Sequence, residues 1–169
     1  ANGLEIAKKE NIKIFVIDSK NKLSESLNMI LNKMQIDIII LAGFMKILPE
    51  DFVKTYSGKI LNIHPSLLPC YKGINTHKRV LEAKDSFHGA SVHFVTTELD
   101  NGPVIIQGKI EVNKHDNEDT LKEKVHSIEY EIYPLAIKWY VEGLLRQCND
   151  HFLFNGVKID SPIENISIK

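Results

Sequence analysis

The chain has few cysteines, no long apolar run and no excess of charge of either sign. Its two cysteines, Cys70 and Cys148, lie far apart and fit no metal-ligand spacing. Such sparse use of cysteine is typical of a reduced, intracellular setting. No apolar run approaches the roughly 20 residues that span a membrane, and no stretch has the pattern of a signal peptide. We therefore expect a cytoplasmic protein with no membrane partner.

The balance of charge also argues against a nucleic-acid partner. The formal net charge is −1 and the sequence pI is near 6.7, so no arm or face is basic enough to predict binding of a polyanion. The seven histidines form no zinc-type spacing with a cysteine or an acid, and we expect no metal. The 169 residues, 43% of them hydrophobic, are enough for one core. We expect a single domain over residues 1–169, with residues 150–169 as a C-terminal hairpin or tail.

Apolar strands alternate with amphipathic helices along much of the chain. The periodicity and the breaker residues predict helices at residues 4–10, 23–34, 50–56, 76–83 and 118–144, and strands at residues 12–17, 37–42, 59–63, 89–95 and 104–110. Short connections between alternating strands and helices are typical of βαβ units with right-handed crossovers. The run at 37–42 is apolar without alternation, which predicts a parallel strand buried on both faces.

The second half of the chain departs from this pattern. The connection between the strands at 89–95 and 104–110 is too short for a crossover helix, so we expect these strands to be antiparallel. Pro134 predicts a kink or a break in the last helix, and Asn155-Gly156 between apolar flanks predicts a hairpin. The predicted fold class is α/β, with a Rossmann-like, mostly parallel sheet, an antiparallel C-terminal part and helices on both faces.

The most informative stretch of the sequence is residues 61–73. An apolar run leads to Asn62 and His64, and Pro65 then stops further strand pairing. Alternate side chains of a strand share a face, so Asn62 and His64 project to the same side. The carboxyl end of a strand in an open α/β sheet is where such folds bind ligands. Asp100, in a second polar stretch at 96–103, is a candidate carboxylate for the same place.

Each of these residues taken alone favours a structural interpretation. A lone histidine at a strand end is more often a satisfied structural group, and an aspartate before Asn-Gly-Pro is usually turn chemistry. Together they suit acyl transfer, because an amide and an imidazole can both donate to an oxygen that becomes negative. A carboxylate would orient the imidazole and favour its protonated form.

No residue has the context of a protein nucleophile. Ser66 lacks the Gly-x-Ser-x-Gly elbow and is better interpreted as a loop or helix cap, and nothing around Cys70 indicates an activated thiolate. We therefore expect the attacking group, such as an amine, to come from a substrate. His64 would pass its proton on directly or through water.

Four ordered segments resemble the glycinamide ribonucleotide transformylase family of formyltransferases. They are residues 42–48 (AGFMKIL), 62–69 (NIHPSLLP), 88–95 (HGASVHFV) and 98–103 (ELDNGP). The resemblance extends from about residue 1 to residue 145. It implies transfer of a formyl group from 10-formyltetrahydrofolate, a co-substrate, to the amine of glycinamide ribonucleotide in purine synthesis, without metal.

The resemblance also implies roles for individual residues. Asn62 and His64 would polarise the formyl oxygen, and Asp100 would set the charge state of His64. His93 would support these groups without touching the substrate. The implied folate-binding residues are Lys20, Met45, Lys46, Ile47, Leu48, Asn62, Thr96, Thr97, Glu98, Leu99 and Asp100. Those implied for glycinamide ribonucleotide are Gly73, His126 and Glu129. The implied partners are these small molecules, for a monomer or homodimer.

The start of the chain departs from the family pattern, which opens with a strand and a phosphate-binding loop at a helix N-terminus. Nothing in the first residues matches them, so we expect an N-terminally incomplete domain, or a second chain that supplies the rest. Two related activities stay open as alternatives. A 10-formyltetrahydrofolate hydrolase tends to carry a second histidine where Pro65 stands, and an enzyme that formylates methionyl-tRNA tends to carry glycine there. A non-catalytic folate-binding fragment is the alternative from another class.

Overall fold

The structure is a computed structural model that describes residues 2–17, 23–148 and 150–165. The chain divides into two compact units, Ala1–Ile36 and Asp37–Lys169. Among the described residues, no helix is both long and apolar enough to cross a membrane.

The first unit contains two helices, α1 (Asn2–Lys9) and α2 (Leu23–Leu31). Glu5 lies in the first turn of α1, and Lys8 and Lys9 lie in its last turn, which complements the helix dipole. Asn11 follows with a positive φ of 54°, and both predicted helices are confirmed. The strand predicted at residues 12–17 is wrong. A strand needs a ladder of hydrogen bonds to a neighbour, and no described residue pairs with this segment.

The second unit is built on a five-stranded mixed sheet in the order β1-β2-β3-β4-β8. Its strands are β1 (Ile39–Leu41), β2 (Ile60–His64), β3 (Phe87–Phe94), β4 (Val104–Glu111) and β8 (Ile163–Asn165). The pairs β1–β2 and β4–β8 are parallel, whereas β2–β3 and β3–β4 are antiparallel. The antiparallel pairing predicted for β3 and β4 is therefore confirmed.

Strand β1 is shorter and less buried than its apolar sequence predicts. Only Ile39–Leu41 pair with β2, and Ile40 is 37% exposed. The expectation of a strand buried on both faces is wrong, because β1 lies at the edge of the sheet formed by the described residues. Hydrophobicity reports the apolar content of a strand but not the number of its neighbours.

Helix α5 (Glu118–Val141) lies against β2, β3 and β4 and closes the core. A capping box starts it: the Asn117 side chain accepts from the Thr120 amide, and the Thr120 hydroxyl accepts from the Asn117 amide. Pro134 does not break the helix. Proline has no amide N–H, so the Tyr130 carbonyl loses the donor that it would have in an uninterrupted helix.

Two tyrosine hydroxyls attach α5 to the neighbouring backbone. The Tyr133 hydroxyl lies 2.7 Å from the Leu41 carbonyl oxygen and 3.0 Å from that of Leu61, so it bridges β1 and β2. Burial raises the pKa of Tyr133 well above its usual value, which keeps the hydroxyl protonated as the donor that these carbonyls need. Tyr140 makes a similar pair of contacts with the carbonyls of Asp37 and Gly58.

The remaining described elements are two short helices and a small antiparallel sheet. The helices are α3 (Glu50–Thr55) and α4 (Thr76–Ala83); the sheet comprises β5 (Leu145–Cys148), β6 (His151–Phe154) and β7 (Val157–Ile159). Asn155 and Gly156 have φ angles of 49° and 79°, as a type I′ hairpin requires. The hairpin prediction is confirmed, but the sequence did not predict that β8 pairs with β4.

Candidate functional site

The candidate site lies where β2 ends. Asn62 and His64 lie on one face of the strand, and the antiparallel register places His93 of β3 opposite Asn62 and Ser91 opposite His64. Residues directly opposite each other in an antiparallel pair share a face. The expected alternation therefore brings the two sequence candidates together and adds His93 from the neighbouring strand.

His93 holds the side chain of Asn62. The His93 Nδ1–H donates to the Phe94 carbonyl at 2.8 Å, so Nε2 of the neutral ring is an acceptor. Asn62 Nδ2 donates to that nitrogen at 3.1 Å. Burial lowers the pKa of His93, although the Phe94 carbonyl and the Asp100 charge oppose this shift. A neutral His93 fixes the orientation of the Asn62 amide and leaves its second N–H able to donate to a ligand.

Asp100 lies against both histidines. Its Oδ2 accepts from the Gly73 amide at 2.8 Å and lies 3.5 Å from His64 Nδ1, while its Oδ1 is 3.9 Å from His93 Nε2. The residue has a positive φ of 48°, a conformation that aspartate tolerates better than most side chains. A Cβ on Gly102 would lie 1.8 Å from the Phe94 carbonyl oxygen, so only glycine lets this turn approach β3 so closely.

His64 lies between Asp100 and the loop that follows β2. The residue is 6% exposed, and its Nε2–H donates to the Tyr71 carbonyl at 3.0 Å. Its Nδ1 faces the Asp100 carboxylate, so both ring nitrogens point at oxygen atoms. A protonated ring would serve both as donors, and the carboxylate would stabilise that charge.

A buried polar network holds the loop that carries Tyr71. The Ser91 hydroxyl donates to the Ser66 carbonyl at 2.6 Å and accepts from the Leu68 amide at 3.0 Å. Gln107 Nε2 donates to the Leu68 carbonyl at 2.8 Å. The Ser66 hydroxyl donates to the Cys70 carbonyl at 2.7 Å, which agrees with the structural role expected for this serine. These polar groups are satisfied in the core and position the backbone beside His64.

A small cavity opens beside Asn62, His93 and Asp100. Its volume is about 80 Å³, below the roughly 300–1,000 Å³ of pockets that enclose a drug-sized ligand, so it would take one ring of a larger molecule. Of the residues implied for folate binding, Lys46, Ile47, Leu48, Asn62 and residues 96–100 line it. Met45 does not line it and is 83% exposed. Phe44 and Val53 also line the cavity, although the sequence did not single them out.

The residues implied for the glycinamide substrate lie on two elements. Gly73 lies in the loop before α4, whereas His126 and Glu129 lie one turn apart on α5, with His126 Nε2 3.8 Å from Glu129 Oε2. Burial raises the pKa of Glu129, and His126 opposes this shift. Lys20, implied for the folate tail, lies outside the described residues.

A second pair of histidines lies near the site, between α4 and β3. His77 Nδ1 is 3.0 Å from His88 Nε2, and the rings meet edge to face. Burial lowers the pKa of His88 to about 4 and also lowers that of His77. Within the part of the chain that the structure describes, no cluster of three or more His, Cys, Asp or Glu residues could hold a metal ion.

Sequence reasoning missed the backbone partners of the site. The Tyr71 carbonyl and the Gly73 amide contact His64 and Asp100, yet backbone groups leave no signature in residue types. Ser91 and Gln107 could have been noticed, because each places a polar side chain within an apolar strand.

Comparisons with known proteins identify the family of this chain. The model of the formyl transferase family matches residues 1–137. The chain is 42% identical over 164 residues to a phosphoribosylglycinamide formyltransferase of Escherichia coli (strain K12), a match that covers 94% of this chain and 77% of the relative. The structure of a phosphoribosylglycinamide formyltransferase from Coxiella burnetii matches with a TM-score of 0.89 and 38% identity, over 97% of this chain and 80% of that one.

One further match is to the solved structure of an enzyme with a different named activity. A formyltetrahydrofolate deformylase from Pseudomonas syringae matches with a TM-score of 0.83 and 23% identity, over 89% of this chain and 52% of that one. At that identity the match shows the shared fold alone. Together the structural matches confirm the predicted fold class.

Proposed function

Because the chain belongs to the formyl transferase family, we propose that it transfers a formyl group from 10-formyltetrahydrofolate to the amine of glycinamide ribonucleotide, a step of purine biosynthesis. The observation that carries this proposal is that Asn62 and Asp100 line one cavity, while His64 Nδ1 lies 3.5 Å from the Asp100 carboxylate. The set supplies two hydrogen-bond donors and a carboxylate without a protein nucleophile, which matches transfer to a substrate amine.

The cavity fits one ring of a formylfolate. Phe44, Ile47 and Leu48 supply apolar walls, and residues 96–100 supply a polar loop on the other side. Apolar walls with a few polar groups are typical of sites for flat heteroaromatic ligands. When bound, formylfolate supplies the acyl group. The volume of about 80 Å³ suits one ring, so we infer that the rest of the co-substrate extends outward.

Asn62 and His64 would stabilise the oxygen that becomes negative as the amine adds to the formyl carbon. Asn62 is held by His93 so that its second N–H can donate into the cavity. The His64 Nε2–H donates to the Tyr71 carbonyl. A substrate oxygen would replace that carbonyl as the acceptor. The Asn62 donor is set before reaction, so it needs little reorganisation in the transition state.

Asp100 would hold the ring of His64 and stabilise its protonated form. Its Oδ2 faces His64 Nδ1 at 3.5 Å and is itself held by the Gly73 amide. A protonated His64 can give its Nε2 proton to the folate nitrogen, directly or through water, as the bond between that nitrogen and the formyl carbon breaks. The proton that the incoming amine loses as it bonds to the formyl carbon then restores the protonated His64 through water, so the step has no net proton change.

The second substrate would lie under the loop that contains Gly73, toward Glu129 and His126 of α5. The partly buried Glu129 carboxylate is a suitable acceptor for the substrate's amine or hydroxyl groups. We also propose that residues 1–169 form one domain, since the family model matches both units in a single run. Location in the cytoplasm and a monomeric or homodimeric state remain part of this proposal.

A formyl-transfer assay tests this function. We expect consumption of 10-formyltetrahydrofolate to depend on glycinamide ribonucleotide and to yield the formylated amine in equal amount. Equal consumption with and without the amine would instead identify a hydrolase. Calorimetric binding of a stable folate analogue without turnover in either assay would identify a folate-binding protein that does not catalyse transfer.

A further inference from the structure

The loop at residues 71–74 bonds to both ionisable groups of the site. The Tyr71 carbonyl accepts from His64 Nε2 at 3.0 Å, and the Gly73 amide donates to Asp100 Oδ2 at 2.8 Å. Two backbone groups that are two residues apart therefore set the orientation of the imidazole and of its carboxylate partner. Anything that displaces this loop changes both contacts at once.

One side chain, Arg79 of α4, contacts most of this loop. Arg79 Nη1 donates to the Lys72 carbonyl at 2.7 Å and also approaches the Ile74 carbonyl at 3.4 Å. The guanidinium carbon lies 5.2 Å from the centre of the Tyr71 ring, within the range of a cation–π contact. The guanidinium thus touches the loop on both sides of Gly73.

Helix α4 fixes the backbone position of Arg79. The helix begins directly after the loop, and the Arg79 amide donates to the carbonyl of its N-cap residue, Asn75, at 3.0 Å. Asn75 and Gly73 have positive φ angles of 57° and 80°, so the chain turns sharply between the loop and the helix. Arg79 can therefore reach back over the residues that precede its own helix.

Further contacts attach the loop to its surroundings. The Tyr71 hydroxyl donates to Asp85, and the Lys72 ammonium donates to the side chain of Asn101, the residue after Asp100. These contacts join the loop to the turn that carries Asp100. The guanidinium is the one group among the described contacts that bonds the carbonyls of two loop residues and also packs on a third.

We propose that Arg79 is a positioning residue that clamps the 71–74 loop and so holds the His64 ring and the Asp100 carboxylate in place until a substrate oxygen replaces the Tyr71 carbonyl, a role that rests on the proposed formyl transfer. A planar guanidinium can donate to two carbonyls and stack on a ring at the same time, which an ammonium cannot do. Because Arg79 is exposed, its contacts contribute little to global stability. Their effect is on geometry, where displacements of about 1 Å can cost large factors in rate.

Hydrogen exchange tests the clamp without any assay of activity. We expect the Gly73 amide of Arg79→Ala to exchange roughly tenfold faster than in the unaltered chain, because local opening of the loop becomes easier. The matched control is Lys78→Ala, which removes the neighbouring exposed cation, whose ion pair is with Glu82. Gly73 exchange should be unchanged in that variant. An unchanged Gly73 exchange rate in Arg79→Ala would overturn the proposal.

Kinetics then test the positioning role. We expect Arg79→Ala to lower kcat roughly tenfold, with the KM for 10-formyltetrahydrofolate within about twofold, since Arg79 does not line the cavity. Arg79→Lys should recover part of the loss, because an ammonium can still donate to one carbonyl. Faster exchange with an unchanged kcat would overturn the positioning role. Absence of formyl transfer by the unaltered chain would count against the proposed function, and Gly73 exchange would still decide the clamp.

Discussion

Two buried histidine clusters lie close together in this protein, and they differ in their partners. His64 lies beside the Asp100 carboxylate, with Asn62 and the cavity adjacent. His88 lies against another imidazole, that of His77. Each histidine is almost completely buried, at 6% and 1% exposure, so burial does not distinguish them.

The partners decide what each histidine can do. Burial and then the neighbouring His77 imidazole lower the pKa of His88 to about 4, and the Asp85 carboxylate offsets only part of this shift. His88 stays neutral and serves as a packing and hydrogen-bonding group. His64 Nδ1 instead lies 3.5 Å from a carboxylate oxygen of Asp100. The difference in partners is the reason that we propose a reactive role for His64 and a structural role for His88.

The largest expected effect comes from replacing His64. We expect His64→Ala to lower kcat by roughly a hundredfold or more, because one donor to the developing oxyanion and the proton donor are both lost. Steady-state kinetics would measure the loss, and thermal unfolding would verify that the variant folds. The matched variant is His88→Gln, which we expect to keep kcat within about threefold while it loses stability. Similar kcat losses in the two variants would remove the distinction between the clusters.

We expect the free energy of unfolding to depend on pH in the acid range through His88, in the second cluster. Because folding lowers the pKa of His88 from 6.5 to about 4, the unfolded chain binds more protons between these values, and stability falls as the pH drops. Above pH 6.5 this contribution is constant, and by pH 4 the loss from His88 approaches about 3 kcal/mol. Urea unfolding at several pH values should show a shallower decline in His88→Gln. Parallel stability curves for the two proteins would contradict the assignment.

Asp100, the carboxylate beside His64, can be replaced by the neutral side chain of asparagine. We expect Asp100→Asn to lower kcat roughly tenfold or more, since the amide cannot stabilise a charged His64. Asparagine tolerates the left-handed backbone at this position, so the loss would report charge rather than strain. Glu111→Gln, at the end of β4, removes an exposed carboxylate as a control and should leave kcat unchanged. A kcat for Asp100→Asn within about twofold of the unaltered chain would show that Asp100 has no such role.

The smallest expected effect concerns a buried polar group outside both clusters. Tyr133→Phe removes the hydroxyl that bridges the Leu41 and Leu61 carbonyls. We expect a loss of about 1–2 kcal/mol of unfolding free energy, because buried acceptors are left without their donor. The kcat should stay within about twofold. Chemical denaturation measures the first quantity, and a large kcat loss at normal stability would place Tyr133 in the catalytic machinery.

Local sequence patterns predicted the elements that carry their own signals. Helix α4 has the predicted bounds, and the Asn155-Gly156 hairpin and the antiparallel β3–β4 pair are confirmed. Prediction failed where a neighbour decides the outcome. Residues 12–17 have strand-like composition but no described partner. Pro134 lies inside a continuous helix, so the predicted break is wrong and its alternative, a kink, stays a prediction.

The sequence by itself determined the chemical inventory of the candidate site. Asn62 and His64 share a face because strand side chains alternate, and Asp100 is marked by its place in a polar turn. The assignment of their catalytic roles stays a prediction, but their proximity follows from the structure. Met45, which the resemblance implies for folate binding, does not line the cavity, and its role stays a prediction.

The tertiary structure decided which groups hold those residues in place. The Tyr71 carbonyl, the Gly73 amide and the Arg79 guanidinium act through positions that depend on the path of one loop. Backbone donors and acceptors are identical in every residue other than proline, so their use cannot be read from residue types. Residue types specify which chemistry is possible, and only the packed chain specifies the distances over which it acts.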